Sequence, residues 1–122
     1  MSAAPGFNVA DIGFWAAADA FIARNTIEID RPRGSVHPRQ SHIVYPLDYG
    51  HLVGTSGGDG EWSDVWLGTS ELQVVVACVA TVDLFQGDTE VKLLYRCVPA
   101  EVNAVAEFYR RHDLGALMIR RY

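Results

Sequence analysis

Apolar positions along the chain recur first at helical spacing and then at strand spacing. Ile12, Trp15, Ala18 and Ile22, with Phe14 and Phe21 beside them, mark a helix running to about Arg24, with Asn8 or Asp11 as its cap. The aromatic stripe is read as packing rather than as a cofactor site. Thr26 to Asp30 is a short β-type run, which Pro32, Gly34, Ser35 and Pro38 turn into a loop rich in basic groups over Arg31 to Gln40. His42 to Tyr45 reads as a strand entering Pro46, and Leu52 and Val53 lead into the glycine-dense loop Gly54 to Gly60. Val65 to Gly68, Leu72 to Val82 and Val91 to Val98 are apolar, β-branched strand runs. Pro99 opens a second helix whose face carries Val102, Val105, Ala106 and Tyr109; it ends near His112, with Gly115 as a stop signal. The tail Ala116 to Tyr122 alternates loosely and leaves two readings open, an edge strand or an arm onto a partner. Four or five short strands with glycine turns and two flanking helices give an α+β, mainly β class and suggest a small barrel.

Composition narrows the function classes. At 122 residues the chain fits one domain, 1–122, and 49% hydrophobic with 20% charged residues is ordinary globular usage. A net charge of −5 argues against a broad nucleic-acid surface, which needs clustered Lys and Arg. A small anion remains a possible ligand if metal ions or a few local cations neutralise it. Cys78 and Cys97 are too few for a disulfide framework and read as reduced core residues. Met1 to Asn8 lacks the pattern of a secretion signal, and no run approaches the ~20 apolar residues of a membrane span. The expectation is a soluble, cytoplasmic protein with no membrane partner.

The chemistry concentrates in DGEWSD, which brings Asp59, Glu61 and Asp64 together after two glycines. Carboxylates forced into proximity repel unless a cation lies between them, and oxygen-only donors favour magnesium or manganese over zinc. Taken alone, such a stretch is more often a solvated hairpin. His37, His42, His51 and His112 show no zinc-motif spacing and read as loop or surface histidines, with His37 set apart by its place in the basic loop. Ser35 and Ser63 lack a nucleophile arrangement, and Arg110 and Arg111 read as a cationic helix end.

The segment YPLDYG, Tyr45 to Gly50, lies a few residues upstream of DGEWSDV. Together they resemble the tyrosine-proline, tyrosine-glycine segment and the Asp-Gly-Asp, two residues, Asp-Val signature of the family I soluble inorganic pyrophosphatases. Glu61 stands where that family usually has Asp. IEID at Ile27 to Asp30 resembles the strand supplying a metal-site Glu, making Glu28 its counterpart. DTEVKLL resembles the later acid and lysine strand, so that Glu90 replaces an Asp ligand and Lys92 is the phosphate-binding lysine; Asp83 or Asp88 stands for the other acid of that loop. The ordered matches run from Glu28 to Lys92.

The resemblance implies an OB-like five-stranded barrel with an N-terminal and a C-terminal flanking helix, a homo-oligomer, and Mg2+-dependent hydrolysis of pyrophosphate, with Mn2+ as a substitute. Asp59, Asp64, Glu90 and Glu28 would hold metal, with Glu61 and Tyr49 catalytic and Glu61 as general base. Lys92, Tyr45, Arg33, His37 and Arg39 would receive the substrate. Two departures stand out. The family's hairpin between the first Glu strand and the tyrosine segment is replaced by RPRGSVHPRQSHI, and its late Tyr-Lys pair by Tyr109, Arg110 and Arg111 out of register. A non-catalytic metal- and phosphate-binding module on the same frame is the competing reading.

Overall fold

The computed structural model describes residues 6–58, 60–112 and 115–122, with side chains from residue 13 onward. Helix α1 spans Gly6–Ala23, followed by strands β1 (Ile27–Arg31), β2 (Asp48–Leu52), β3 (Asp64–Leu67), β4 (Val75–Asp83) and β5 (Asp88–Tyr95). Helix α2 (Pro99–Arg111) and strand β6 (Ala116–Arg120) complete the chain. The helix α1 begins ahead of both expected caps, and the Asn8, Asp11 and Ile12 side chains lie outside the described residues.

The strands form one six-stranded sheet in the order β1-β2-β3-β5-β4-β6, antiparallel except for the parallel β3–β5 pair. This corrects the expected five-stranded barrel. The tail pairs with the free side of β4 as a sixth strand, and the sheet stays open with β1 and β6 at its edges. The strand expected at His42 to Tyr45 is also corrected: Val44 makes a single bridge to Val36, and the ladder begins at Asp48. Pro46 cannot donate to a ladder, so Ile43, Tyr45 and Leu47 are buried by side-chain packing instead.

A core lies on each face of the sheet. Ala18 and Ile22 of α1 pack on Leu52, Val65, Val75, Cys78 and Leu93. Val102, Val105 and Tyr109 of α2 pack on Tyr45, Leu47, Trp66, Ala77, Val79 and Leu94. Alternation sends Val65 and Trp66, and Leu93 and Leu94, to opposite faces. A bulge between Val75 and Ala77 moves those two to opposite cores although they are two residues apart. Both cysteines are free and buried, and burial pushes the Cys97 thiol up to about 12. Among the described residues no helix is long and apolar enough to cross a membrane.

Glu101, in the first turn of α2, ties that helix to the connection between β3 and β4. Its carboxylate accepts from the Val98 N–H at 2.9 Å, the Thr69 N–H at 3.1 Å and the Thr69 hydroxyl at 2.9 Å. Burial works against its charge, but those hydrogen bonds overcome it and hold the carboxyl below its usual value. A lowered folded value gives stability that is present above the unfolded carboxyl range and lost as pH falls through the folded one. Glu101→Gln therefore costs about 2 kcal/mol at neutral pH. Urea denaturation of parent and variant should show that gap at pH 7 and see it close as pH falls below the usual carboxyl range.

Candidate active site

The site is built across β2, β3 and β5, on the face that α2 covers. Register places His51 of β2 opposite Glu28 of β1 on one side and Asp64 of β3 on the other. The parallel β3–β5 pairing sets Val65 against Leu93, which brings Asp64 beside Lys92 although the two are far apart in the chain. Gly50 permits this closeness: a Cβ there would run into the Glu28 carbonyl, so only glycine lets β2 lie against β1 at that point. Gly58 plays the same part for the acidic loop, which rests on the Thr89 carbonyl next to Glu90. Ser63 ties the loop ends together, its N–H donating to the Thr55 hydroxyl at 3.0 Å and its own hydroxyl to the Ser56 carbonyl at 3.0 Å.

Lys92 is the centre of the arrangement. Its ammonium donates to Asp64 Oδ2 at 2.6 Å, to the Tyr49 hydroxyl at 2.9 Å and to Glu90 Oε1 at 3.2 Å. The side chains of Lys92, Glu90 and Asp64 are 12%, 13% and 20% exposed, so these charges interact through a medium far less screening than water. Burial opposes the Lys92 charge, yet Tyr49 and Asp64 outweigh it and hold the ammonium above its usual range. Burial pushes the Tyr49 phenol in the same direction, against the pull of Lys92, which keeps it a neutral hydroxyl.

Two cavities meet at this cluster. One is a cleft of about 800 Å³ at the C-terminal end of α2, lined by Lys92, Tyr45, Tyr49 and Tyr109, by Arg111, and by His37, His42 and His112. Asp83 is the one acid of its lining among the described residues, and its carboxylate accepts from the Phe85 and Gln86 N–H groups to close the β4–β5 turn. The other cavity, about 500 Å³, is lined by Asp30, His51, Gly60, Glu61, Trp62 and Asp64. One cavity is cationic and the other anionic, and the Lys92–Asp64 pair stands between them.

Among the expected site residues, Lys92 touches Tyr49, Asp64 and Glu90, Tyr45 and His37 line the cationic cleft, and Glu61 lines the anionic cavity. Asp59 lies outside the described residues. Arg33 and Arg39 do not line the cleft: the Arg33 N–H donates to Asp48 Oδ1, and the Arg39 N–H to His37 Nδ1. Glu28 sits one strand beyond the Lys92 cluster, facing His51.

His51 corrects the sequence reading, which made it a loop or surface histidine. It lies in β2, 8% exposed, with Nδ1 2.7 Å from Asp30 Oδ2 and its ring 4.5 Å from that of Trp62. Glu28, Asp30 and His51 each place a ligand-type atom within 4.8 Å of the others, a group able to hold a metal ion. His42, His112 and Arg111 were likewise not assigned to a site. The signal that could have found His51 and Asp30 is alternation: Glu28 and Asp30 share one face of β1, and that face meets His51 as soon as β1 and β2 pair.

No protein-family model matches the chain, and no curated protein matches it. Among solved structures it is similar to a crystal structure of an inorganic phosphatase from Anaplasma phagocytophilum, at 16% identity and a TM-score of 0.47. That match covers 79% of this chain and 74% of the other. At such identity and score the likeness carries no functional weight.

The side chains themselves define what the site can do. Carboxylates in one cavity can hold a hard cation, while an ammonium, a guanidinium and three imidazoles around the other can receive an anion. A third depression of about 740 Å³ lies under α1 and is walled by Phe14, Phe21, Val82 and Val91, with Glu90 its one charged lining residue among those described. An apolar groove of that kind offers nothing to polarise a phosphoanhydride.

Proposed function

We propose that the chain hydrolyses inorganic pyrophosphate, or a closely related small phosphoanhydride, to phosphate with the help of Mg2+ or Mn2+. The observation that carries the reading is the Lys92 cluster, in which one buried ammonium touches Asp64, Glu90 and Tyr49 at the boundary between a carboxylate cavity and a cationic cleft. The donor chemistry fits a hard divalent ion, since Asp64 and Glu61 bring carboxylate oxygens to the same cavity. When bound, such an ion would supply charge neutralisation and a more acidic water.

The chain's own residues do the rest. Pyrophosphate and one water give two phosphates, and the bridging P–O bond breaks as the water oxygen bonds to phosphorus. Glu61 takes the water's proton, and Lys92 and Arg111 donate to the phosphate oxygens as charge builds on the leaving group. Tyr49, held neutral by burial, keeps a hydroxyl available to the same oxygens. Tyr45 walls the cleft and His37 lies at its basic-loop side. The subunit assembly expected from the family resemblance belongs to this reading as well.

One observation favours the competing reading. Lys92 already satisfies Asp64 and Glu90, as a module that binds phosphate without turning it over would require. Phosphate release from pyrophosphate with Mg2+ separates the two. Hydrolysis by the parent, lost by at least about a thousandfold in Asp64→Asn, is the expected result. Equal release by parent and Asp64→Asn would remove Asp64 from the chemistry.

A further inference from the structure

His51 is the best-defined feature that the proposed hydrolysis leaves unused. Among the described residues its Nε2 is the buried side-chain polar atom with no hydrogen-bond partner, and the residue is 8% exposed. The tautomer follows from Asp30. A carboxylate can only accept, so at 2.7 Å from Oδ2 a proton sits on Nδ1, and whenever the ring is neutral Nε2 carries a lone pair. That lone pair faces Glu28 Oε1 at 3.4 Å. Two electron-rich atoms are thus aimed at each other at the floor of a strand pair, an arrangement that a cation between them turns from repulsive to attractive.

We infer that Glu28 and His51 form a binding site for a borderline divalent transition ion of the Zn2+ class, on the β1 side of the cavity that Asp64 and Glu61 also line, with Asp30 as the residue that orients the imidazole; Glu28 thereby leaves the Mg2+ set that the family resemblance implied. Geometry supports this assignment. Two ligand bonds of about 2.1 Å meeting at a tetrahedral angle set their donor atoms about 3.4 Å apart, against about 3.0 Å for adjacent octahedral positions. The Nε2–Oε1 separation is 3.4 Å. It exceeds the usual 2.7–3.2 Å of an N–H···O hydrogen bond, so a shared proton describes the pair less well than a shared metal ion.

Ligand softness points the same way: an imidazole nitrogen suits Zn2+ or Co2+, whereas Mg2+ prefers oxygen throughout. The carboxylate at Nδ1 is the partner that a metal-bound histidine usually has, fixing its tautomer and raising its basicity. Trp62 lies tilted against the imidazole, with ring centroids 4.5 Å apart.

The test is metal binding, which needs no turnover and so stands or falls apart from the hydrolytic proposal. Zn2+ is titrated calorimetrically, and Co2+ is followed by its visible absorption, into the full chain and its variants. The expected result is one Zn2+ site, with intense Co2+ bands of tetrahedral type. Asp30→Asn should weaken it by about ten- to a hundredfold, and His51→Gln and Glu28→Gln by at least as much. Glu28 is 64% exposed on its side chain, so Glu28→Gln keeps the fold even if His51→Gln does not. Asp64→Asn should leave the Co2+ spectrum in place. Absence of a Zn2+ site in the parent, Zn2+ binding unchanged in Glu28→Gln, or Co2+ bands lost in Asp64→Asn would each overturn the assignment.

Discussion

Lys92→Met is expected to lower kcat/KM for pyrophosphate with Mg2+ by on the order of 10² to 10³, the usual cost of removing one charge-stabilising donor from a site of this kind. It is also expected to destabilise the fold by about 3 kcal/mol. Both effects have one cause. The ammonium is a donor to the cleft and the cation that separates Asp64 from Glu90. Methionine keeps the stem's volume and leaves the two carboxylates facing each other without it. The stability loss should therefore be partly recovered by millimolar Mg2+, and more so in the variant than in the parent, because a divalent ion can replace the missing charge. Thermal melts with and without Mg2+, run beside the phosphate assay, check this. A variant as stable as the parent, with no extra gain from Mg2+, would mean that the cluster is not an electrostatic unit.

Trp66→Ala carries the largest expected stability effect. Trp66 is fully buried, its ring lies 4.6 Å from Tyr49 and 5.3 Å from Phe108, and its Nε1–H donates to the Tyr109 hydroxyl at 3.1 Å. Truncation removes the indole and orphans that hydroxyl, whose phenol burial has pushed up to about 12. The cost is about 4 kcal/mol, or roughly 15 °C in Tm for a chain of this size. Activity should fall further than the unfolded fraction accounts for, since Tyr49 loses the ring that holds it beside Lys92. Trp66→Phe, retaining an aromatic ring, should recover more than half of the stability. Equal Tm losses in the two variants would show that volume and stacking matter less than the indole N–H.

Those two effects also mark what could and could not be read along the chain. Strands β3, β4 and β5 and helix α2 follow from local patterning, because Val65, Leu93, Val102 and Val105 recur at the period of the element that buries them. β2 was displaced because the apolar run before Pro46 looks like a strand, while the true ladder carries Gly50 and His51, which have no β signature. Whether the sheet closes depends on which edges meet, a nonlocal matter. Here the tail's pairing with β4 settled it, and tail alternation alone did not identify that partner.

The candidate site divides along the same line. Asp64 stood out in the acidic cluster and Lys92 was reached through family resemblance, and their contact depends on the parallel β3–β5 pairing that no periodicity discloses. His42, Arg111 and His112 reach one cleft from the basic loop and the end of α2, a convergence set by helix packing. His51 was passed over because its partners, Glu28 and Asp30, lie on another strand, and zinc spacing within one segment is the wrong signal for a site assembled across two.

Phosphorus NMR of pyrophosphate incubated with the chain and Mg2+ asks whether the proposed site at the Lys92 boundary between the two cavities hydrolyses pyrophosphate. The pyrophosphate resonance is expected to be replaced over time by orthophosphate, and EDTA or Asp64→Asn to stop the conversion. A pyrophosphate resonance that broadens or shifts on binding but never yields orthophosphate would contradict it, leaving the cleft as a binding site alone.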